Sequence, residues 1–341
     1  MRVKRISDFE SFQNLKTSWN KLLLSSKENS IFLTHEWFYS WWKCFSEGKS
    51  LEILLFKDEQ GKLIGIAPLM AEENTLSFIA SQEVTDYCDF IIVKGRAEEF
   101  YENLLAYLKI HYAGIKRIEL MNIKYSSPSC RLLPQIAPKH NFSCSVFEIE
   151  VAPGVVLPSS YEDFLRHLSR KNRHELRRKL RRIDNLQGKK TVKVVDPKGL
   201  QTSIETFIDL HRKSTLSKQE FWEKKGMSDF FREIILRFSS KRWIELNFLL
   251  YEDKIMASLL NFFYEDQIYF YNIAYNKDYA WYSPGLFLFN FCIKQAITDK
   301  KKKVDFLRGR EKYKYYFGAK ESKIFCLTLT LEKRKDEDLC D

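Results

Sequence analysis

Four consecutive residues, Tyr282-Ser283-Pro284-Gly285, stand between an aromatic alternating segment, Gln267–Tyr275, and an apolar run that follows Pro284. Serine at an N-cap, proline at the first helical position and glycine behind them predict a helix N-terminus with bare backbone. Unpaired N–H groups and the positive end of the helix dipole converge at such a place, so its chemistry is anion binding. Further on, Asp305 stands at the top of a short expected strand, Val304–Leu307, near Arg308. It is a candidate for proton abstraction or acceptor binding, and equally for a structural ion pair with Arg308 or a neighbouring cation. Tyr313, Tyr315 and Tyr316 offer phenols that either donate a proton or pack, and Tyr271 and Tyr275 carry the same two readings. His211, next to Arg212 and Lys213 at the end of an expected helix, reads as a base or as an ordinary buried histidine. Asp86, Tyr87 and Asp89 form a D-Y-x-D loop that orients a polar acceptor or is simply solvated. Gly-x-Ser-x-Gly, H-E-x-x-H and Walker patterns are absent, so hydrolase, zinc-protease and NTPase chemistries lack support.

The elements that must position these residues come in two similar series. Arg2–Ile6 reads as a strand. A helix capped by Asp8 follows, then an aromatic helix capped by Thr34. Leu51–Lys57, Leu63–Glu72 and Thr75–Ile79 form a meander with hairpin-type turns. Phe90–Val93 leads to helix Ala97–Ala113, strand Arg117–Asn122, a weak helix Ser129–His140 and a final strand Ser143–Glu150. After a linker, Ala152–Ser160, and one basic helix, the order recurs: strand Thr191–Val195, helices Leu200–Leu216 and Ser228–Ser239, and the meander Trp243–Tyr251, Ile255–Tyr264, Gln267–Tyr275. The helix from Pro284, strand Val304–Leu307 and a closing strand Ile324–Glu332 complete it. The recurrence predicts an α/β (α+β) protein of two tandem lobes, residues 1–151 and 160–333, each a mixed, mainly antiparallel sheet flanked by helices.

The 341 residues suffice for two cores, and 45% hydrophobic with 15% aromatic content marks a globular chain. An excess of 56 Lys+Arg over 45 Asp+Glu favours phosphorylated ligands, anionic membranes or nucleic acid without choosing among them. Seven widely spaced cysteines without a C-x-x-C pair argue against a disulfide framework and against zinc, so no metal is expected. The N-terminus lacks an apolar signal region and no apolar run approaches the ~18 residues that span a bilayer. The expectation is a cytoplasmic protein whose membrane contact, if any, is peripheral at the inner face.

The element order resembles that of the GNAT acyltransferase superfamily. Tyr282-Ser283-Pro284-Gly285 and Asp305-Phe306-Leu307-Arg308-Gly309, followed by Tyr313-Lys314, resemble the CelD-like acetyltransferases associated with cellulose and exopolysaccharide production. Those proteins are similar in build to the Fem-type peptidyltransferases. The resemblance implies that acetyl-CoA or another acyl-CoA is the donor. Its pyrophosphate would lie on the loop before the Pro284 helix, and its pantetheine arm between splayed fourth and fifth strands, here Gln267–Tyr275 and Val304–Leu307. It implies cofactor contacts at Tyr275, Tyr282, Ser283, Pro284, Gly285 and Arg308. Asp305, Tyr313 and His211 become catalytic candidates, and Asp86, Tyr87, Asp89, Tyr271 and Lys314 substrate-binding candidates. The usual GNAT loop carries more glycines than the single Gly285 here. The first lobe's equivalent helix opens with Glu98 and Glu99, where a phosphate would sit, so the second lobe is the expected donor lobe and the first the acceptor side. The implied function is acyl transfer to a saccharide or amino-sugar acceptor in polysaccharide or cell-envelope synthesis. The alternatives are a Fem-type transferase using aminoacyl-tRNA and a non-catalytic GNAT-like binding subunit.

One further feature is charge. Tyr161–Ile183 places Phe164, Leu165, Leu168, Leu176, Leu180 and Ile183 on an apolar stripe and crowds nine Lys and Arg residues, from Arg166 to Arg182, on the other faces. Like charges at this spacing cost helix stability, which points to a neutralising partner: CoA phosphates, an anionic membrane surface or RNA.

Overall fold

The computed structural model describes residues 1–332, and these fall into two compact units. The first takes residues up to Glu150 together with Lys323 and the strand residues after it; the second runs from Val151 to Ser322. Lys333, the expected last residue of the second lobe, lies outside the described residues.

In chain order the first unit holds β1 (Arg2–Ile6), α1 (Phe9–Gln13), α2 (Lys16–Leu24), α3 (His35–Phe45), β2 (Ser50–Lys57), β3 (Leu63–Glu72), β4 (Thr75–Phe78) and β5 (Ile91–Ile92). Next come α4 (Ala97–His111), β6 (Arg117–Lys124), α5 (Pro128–Ile136) and β7 (Phe142–Val156), which continues into the second unit. Side-chain caps fix the helix starts: Asp8 accepts from the Ser11 N–H at 2.7 Å and Thr34 from that of Trp37 at 3.3 Å. The single helix expected after Asp8 is broken into α1 and α2 at Asn14-Leu15.

The second unit holds α6 (Tyr161–His167), α7 (Arg170–Asp184), β8 (Lys189–Val194), α8 (Pro197–Ser214), α9 (Leu216–Glu223), α10 (Met227–Ser239), β9 (Ile244–Tyr251), β10 (Lys254–Tyr264) and β11 (Gln267–Tyr275). It closes with α11 (Pro284–Thr298), β12 (Lys303–Asp305), α12 (Lys312–Tyr316) and the start of β13 (Lys320–Leu331). Two elements differ from the pattern that the sequence suggests. The basic helix is two helices, because Leu168 is extended and the Ser169 hydroxyl caps α7 by accepting from the Asn172 N–H. And α9 had not been anticipated, although Thr215 caps it by accepting from the Lys218 N–H.

Strand order is the same in both units. In the first it runs β1-β2-β3-β4-β6-β13, with β5 beside β3; in the second it runs β8-β9-β10-β11-β12-β7. In each, the fourth and fifth strands are parallel and the other neighbours on this path antiparallel. This is the expected fold class: a mixed, mainly antiparallel sheet flanked by helices. The sixth strands are exchanged relative to expectation. Residues Ile324–Leu329 of β13 pair with β6, and Gly154–Val156 of β7 pair with β12. Apolar pattern explains the exchange. Leu327 and Leu329 bury in the first unit's core and Val155 and Leu157 in the second's, whereas Val146, Phe147 and Ile149 stay exposed.

Because β13 completes the first unit from the far end of the chain, Leu327→Ala is expected to lower that unit's stability by about 2–4 kcal/mol. Hydrogen exchange should then speed up in β6 and α4 while α11 keeps its protection. Loss of protection confined to α11 would contradict this assignment.

Candidate active site

The parallel pairing of β11 with β12 covers only Gln267–Tyr269 against Lys303–Asp305. β11 runs on to Tyr275 with β10 on one edge and, among the described residues, no strand on the other. A bulge begins this free stretch: Asn261 pairs with Phe270 and Leu260 with Asn272, so Tyr271 is the extra residue. Beyond it, the Ile273 carbonyl accepts from the Lys218 ammonium. The Tyr275 N–H donates to the Ser214 hydroxyl at 3.3 Å, which in turn lies 3.2 Å from the Tyr275 carbonyl. Side chains of α8 and α9 thus occupy backbone positions that a sixth strand or a ligand would otherwise take.

A cavity of about 260 Å³ lies where this edge meets α11. It is lined by Ile273 and Tyr275 of β11, Ser283, Pro284 and Gly285 at the helix start, Tyr313 and Tyr316 of α12, and Lys179 of α7. Four of the six expected cofactor residues therefore come together. Tyr282 packs against the core beside the cavity, and Arg308 is not among the lining residues.

The helix start differs from the expected cap. Ser283 adopts φ 57° and ψ 51° after the 3-10 turn Lys277–Tyr282, and its hydroxyl caps nothing. Its carbonyl accepts from the N–H groups of Leu286 and Phe287, and Pro284 has none to give. Among the described residues, the Gly285 N–H is the one in this turn without a recorded partner. Gly285 is small for a packing reason: a Cβ there would stand 3.3 Å from Ile273 Cγ1. With no acid in the first turn, Lys179 at the rim and a bare N–H, the pocket suits a phosphate group, with fewer donors than first expected.

The catalytic candidates separate clearly. Tyr313 stacks on Phe289 at 5.0 Å with rings 9° apart, and burial, aided by Glu311, pushes its phenol well up. It holds its proton and can serve as a hydrogen-bond donor. Asp305 is 2% exposed; its Oδ1 accepts from the Leu307 N–H at 2.9 Å and its Oδ2 pairs with Lys303 at 3.1 Å. Both carboxylate oxygens are thus engaged, with Lys303 as a cation partner. His211 is ill-suited to base work. Its Nδ1 already accepts from the Trp222 indole at 2.9 Å, and burial, followed by the charge of Lys218, pushes its pKa down to about 3. Lys314 is engaged within the turn itself. Its buried ammonium donates to the carbonyls of Leu307, Arg308 and Gly309 at 2.7–3.0 Å and pairs with Glu311 at 2.9 Å. Tyr271 packs between Phe231 and Phe262, apart from the cavity.

In the first unit, Tyr87 is buried with Lys124 3.8 Å above its ring, and Asp86 is half-buried. Asp89 is buried and accepts from the Ser129 hydroxyl at 2.5 Å and the Phe90 N–H at 2.8 Å; burial, then Glu28, pushes its pKa up to about 7. Glu98 and Glu99 stand in the first turn of α4, with Glu99 bonded to Arg96 at 2.5 Å. Among the described residues no group of three His, Cys, Asp or Glu is placed to hold a metal.

α7 packs against both α11 and α12. Arg182 stacks 4.0 Å above Trp281 and Lys179 lies 4.8 Å from the Tyr316 ring centre. On its other side Arg170, Lys171, Arg173, Arg177 and Arg181, with Lys294 of α11, line an open cavity of about 1270 Å³.

Residues 170–315, from the start of α7 into α12, match the family described as acetyltransferase (GNAT) domain. The second unit carries a GNAT-type acyltransferase domain. Such a domain implies an acyl-CoA donor, which agrees with the free edge of β11 and the cavity beside it. The whole fold is similar to solved structures. FemX aligns at TM-score 0.63 and 14% identity over 96% of this chain and 97% of its own. L-PGS from Bacillus licheniformis aligns at 0.57 and 13%, over 95% and 92%. A tandem GNAT protein from the clavulanic acid biosynthesis pathway aligns at 0.53 and 7%, over 98% and 100%. No curated protein matches the sequence.

The acyltransferase domain also contains a residue that sequence reasoning missed. Lys218 reaches the free strand edge from α9, and its only sequence signal was the cap at Thr215, three residues earlier.

Replacing Lys314 by Met should leave three turn carbonyls unsatisfied and cost about 3 kcal/mol or more, read by urea unfolding. Unchanged stability with lost activity would instead make Lys314 a substrate contact. Ser283→Gly should be neutral or stabilising by up to ~1 kcal/mol, since glycine tolerates the left-handed backbone; a clear loss of stability would show that the hydroxyl matters.

Proposed function

We propose that this protein transfers an acyl group from acyl-CoA, bound by the second unit, to an amine or hydroxyl of a saccharide or amino-sugar acceptor in polysaccharide or cell-envelope synthesis. The observation that carries the donor half is the unpaired edge of β11 ending at the cavity under α11. Lys179 and the Gly285 N–H would hold phosphate, and the extended arm would lie against Ile273 and Tyr275 where they line the cavity. The acceptor attacks the thioester carbonyl, the carbon–sulfur bond breaks, and the proton that the acceptor nitrogen or oxygen gives up ends on the departing thiolate, with Tyr313, kept protonated, as a hydrogen-bond donor toward it. The acceptor class rests on the CelD-like residues Tyr282–Gly285 and Asp305–Gly309 and on Tyr313-Lys314. Several of these form the turn that Lys314 ties together, so they define the site's frame more than its substrate contacts. Asp86 is the member of the first-unit loop we retain as an acceptor contact. Glu98 and Glu99 leave that unit's equivalent helix unsuited to phosphate.

Millimolar acetyl-CoA should raise the melting temperature by several degrees, since a hundredfold excess over Kd adds about 2.7 kcal/mol. Native mass spectrometry should show one CoA per chain. No shift and no adduct would contradict the donor assignment.

A second reading is favoured by the basic cavity along α7: a Fem-type transferase whose aminoacyl-tRNA donor contacts Arg170, Arg177 and Arg181. No described helix is long and apolar enough to cross a membrane, and the concave cavity fits a phosphate chain better than a flat lipid surface. This reading expects tRNA binding that weakens steeply with salt, with R177E/R181E lowering the salt slope by about one to two. Binding to anionic vesicles without tRNA binding would replace it with a membrane role.

A further inference from the structure

Lys218 sits at a place where side chains from both faces of the acyltransferase sheet reach β11. Ile273 lines the donor cavity with its side chain, on the face covered by α11, while its carbonyl holds the Lys218 ammonium, which comes from α9 on the face covered by α8, α9 and α10. The β11–β12 pairing that would separate these faces has ended at Tyr269 and Asp305. Lys218 is half-buried, so it is reachable from the free edge without unfolding α9. Its charge is poorly supported there. Glu311 acts on it from the start of α12, His211 on α8 is held neutral, and its hydrogen bond is to a carbonyl rather than a carboxylate. Burial accordingly pulls its pKa down to about 8, which gives a neutral amine fraction far above that of an exposed lysine near pH 7.

We propose that Lys218 is a self-acylation site of the enzyme. When acyl-CoA lies along the β11 edge and no acceptor is bound, the Lys218 amine attacks the thioester carbonyl. A nitrogen–carbon bond forms, the carbon–sulfur bond breaks, and the proton released by nitrogen ends on the CoA thiolate, leaving an amide and free CoA. The amide N–H still donates to the Ile273 carbonyl, but the positive charge is gone and an acyl group fills the mouth of the free edge. The product is an enzyme switched off by donor in the absence of acceptor. This inference rests on the acyl-CoA reading above and adds a residue and a product to it.

The test incubates the full chain with acetyl-CoA and no acceptor, measures bound CoA by native mass spectrometry, and maps acetylated lysines by peptide mass spectrometry over time. The expected result is acetylation of Lys218 roughly tenfold or more faster than of exposed lysines such as Lys277 and Lys300, increasing with pH up to about 8. Lys218→Arg keeps a cation for the Ile273 carbonyl and removes the nucleophile, so it should bind CoA and show no acetylation at this site. CoA bound with Lys218 unmodified, or modified no faster than exposed lysines, overturns the inference and leaves the donor reading intact. Absence of bound CoA removes the donor reading and the inference with it.

Discussion

β12 stops at Asp305 while its neighbour β11 continues to Tyr275, and the second unit's chemistry is arranged around the backbone this leaves unpaired. Buried peptide groups without partners are costly, so something must take them. On one side Ser214 and Lys218 do so with their side chains. On the other, the space between the diverging strands is filled with rings: Phe270, Phe289, Phe306 and Phe317 contact one another at centroid distances of 5.1–6.1 Å. The cavity under α11 is what remains of the gap after this filling.

The abrupt end of β12 has its own cause. Asp305 accepts from the Leu307 N–H, Leu307 takes a positive φ of 61°, and Lys314 gathers the next three carbonyls. A buried ammonium bound this way is a rigid fastener, because removing it leaves several acceptors stranded together. The sequence motif from Asp305 to Lys314 therefore encodes the turn that opens the sheet.

Much of this was legible in the chain itself. The two meanders, the helix from Pro284 and the short strand before Arg308 follow from alternation, turn residues and the Ser-Pro-Gly start, and the structure brings Tyr275, Ser283, Pro284 and Gly285 to one cavity. What could not be read was tertiary. The exchange of β7 and β13 depends on which core receives Val155 or Leu327. The neutrality of His211 depends on Trp222, eleven residues away and packed against it. Lys218 looked like one surface lysine among many, and only the carbonyl it reaches, 55 residues later, distinguishes it. Local propensity is silent on such long-range pairings.

The central claim is that the free edge of β11 and the start of α11 form the donor site. Hydrogen exchange with and without acetyl-CoA tests it most directly. The account predicts slowed exchange at Tyr271–Tyr275 and Gly285–Phe287, with the first unit's Lys94–Glu99 unchanged; slowing at Lys94–Glu99 with β11 unaffected would contradict it.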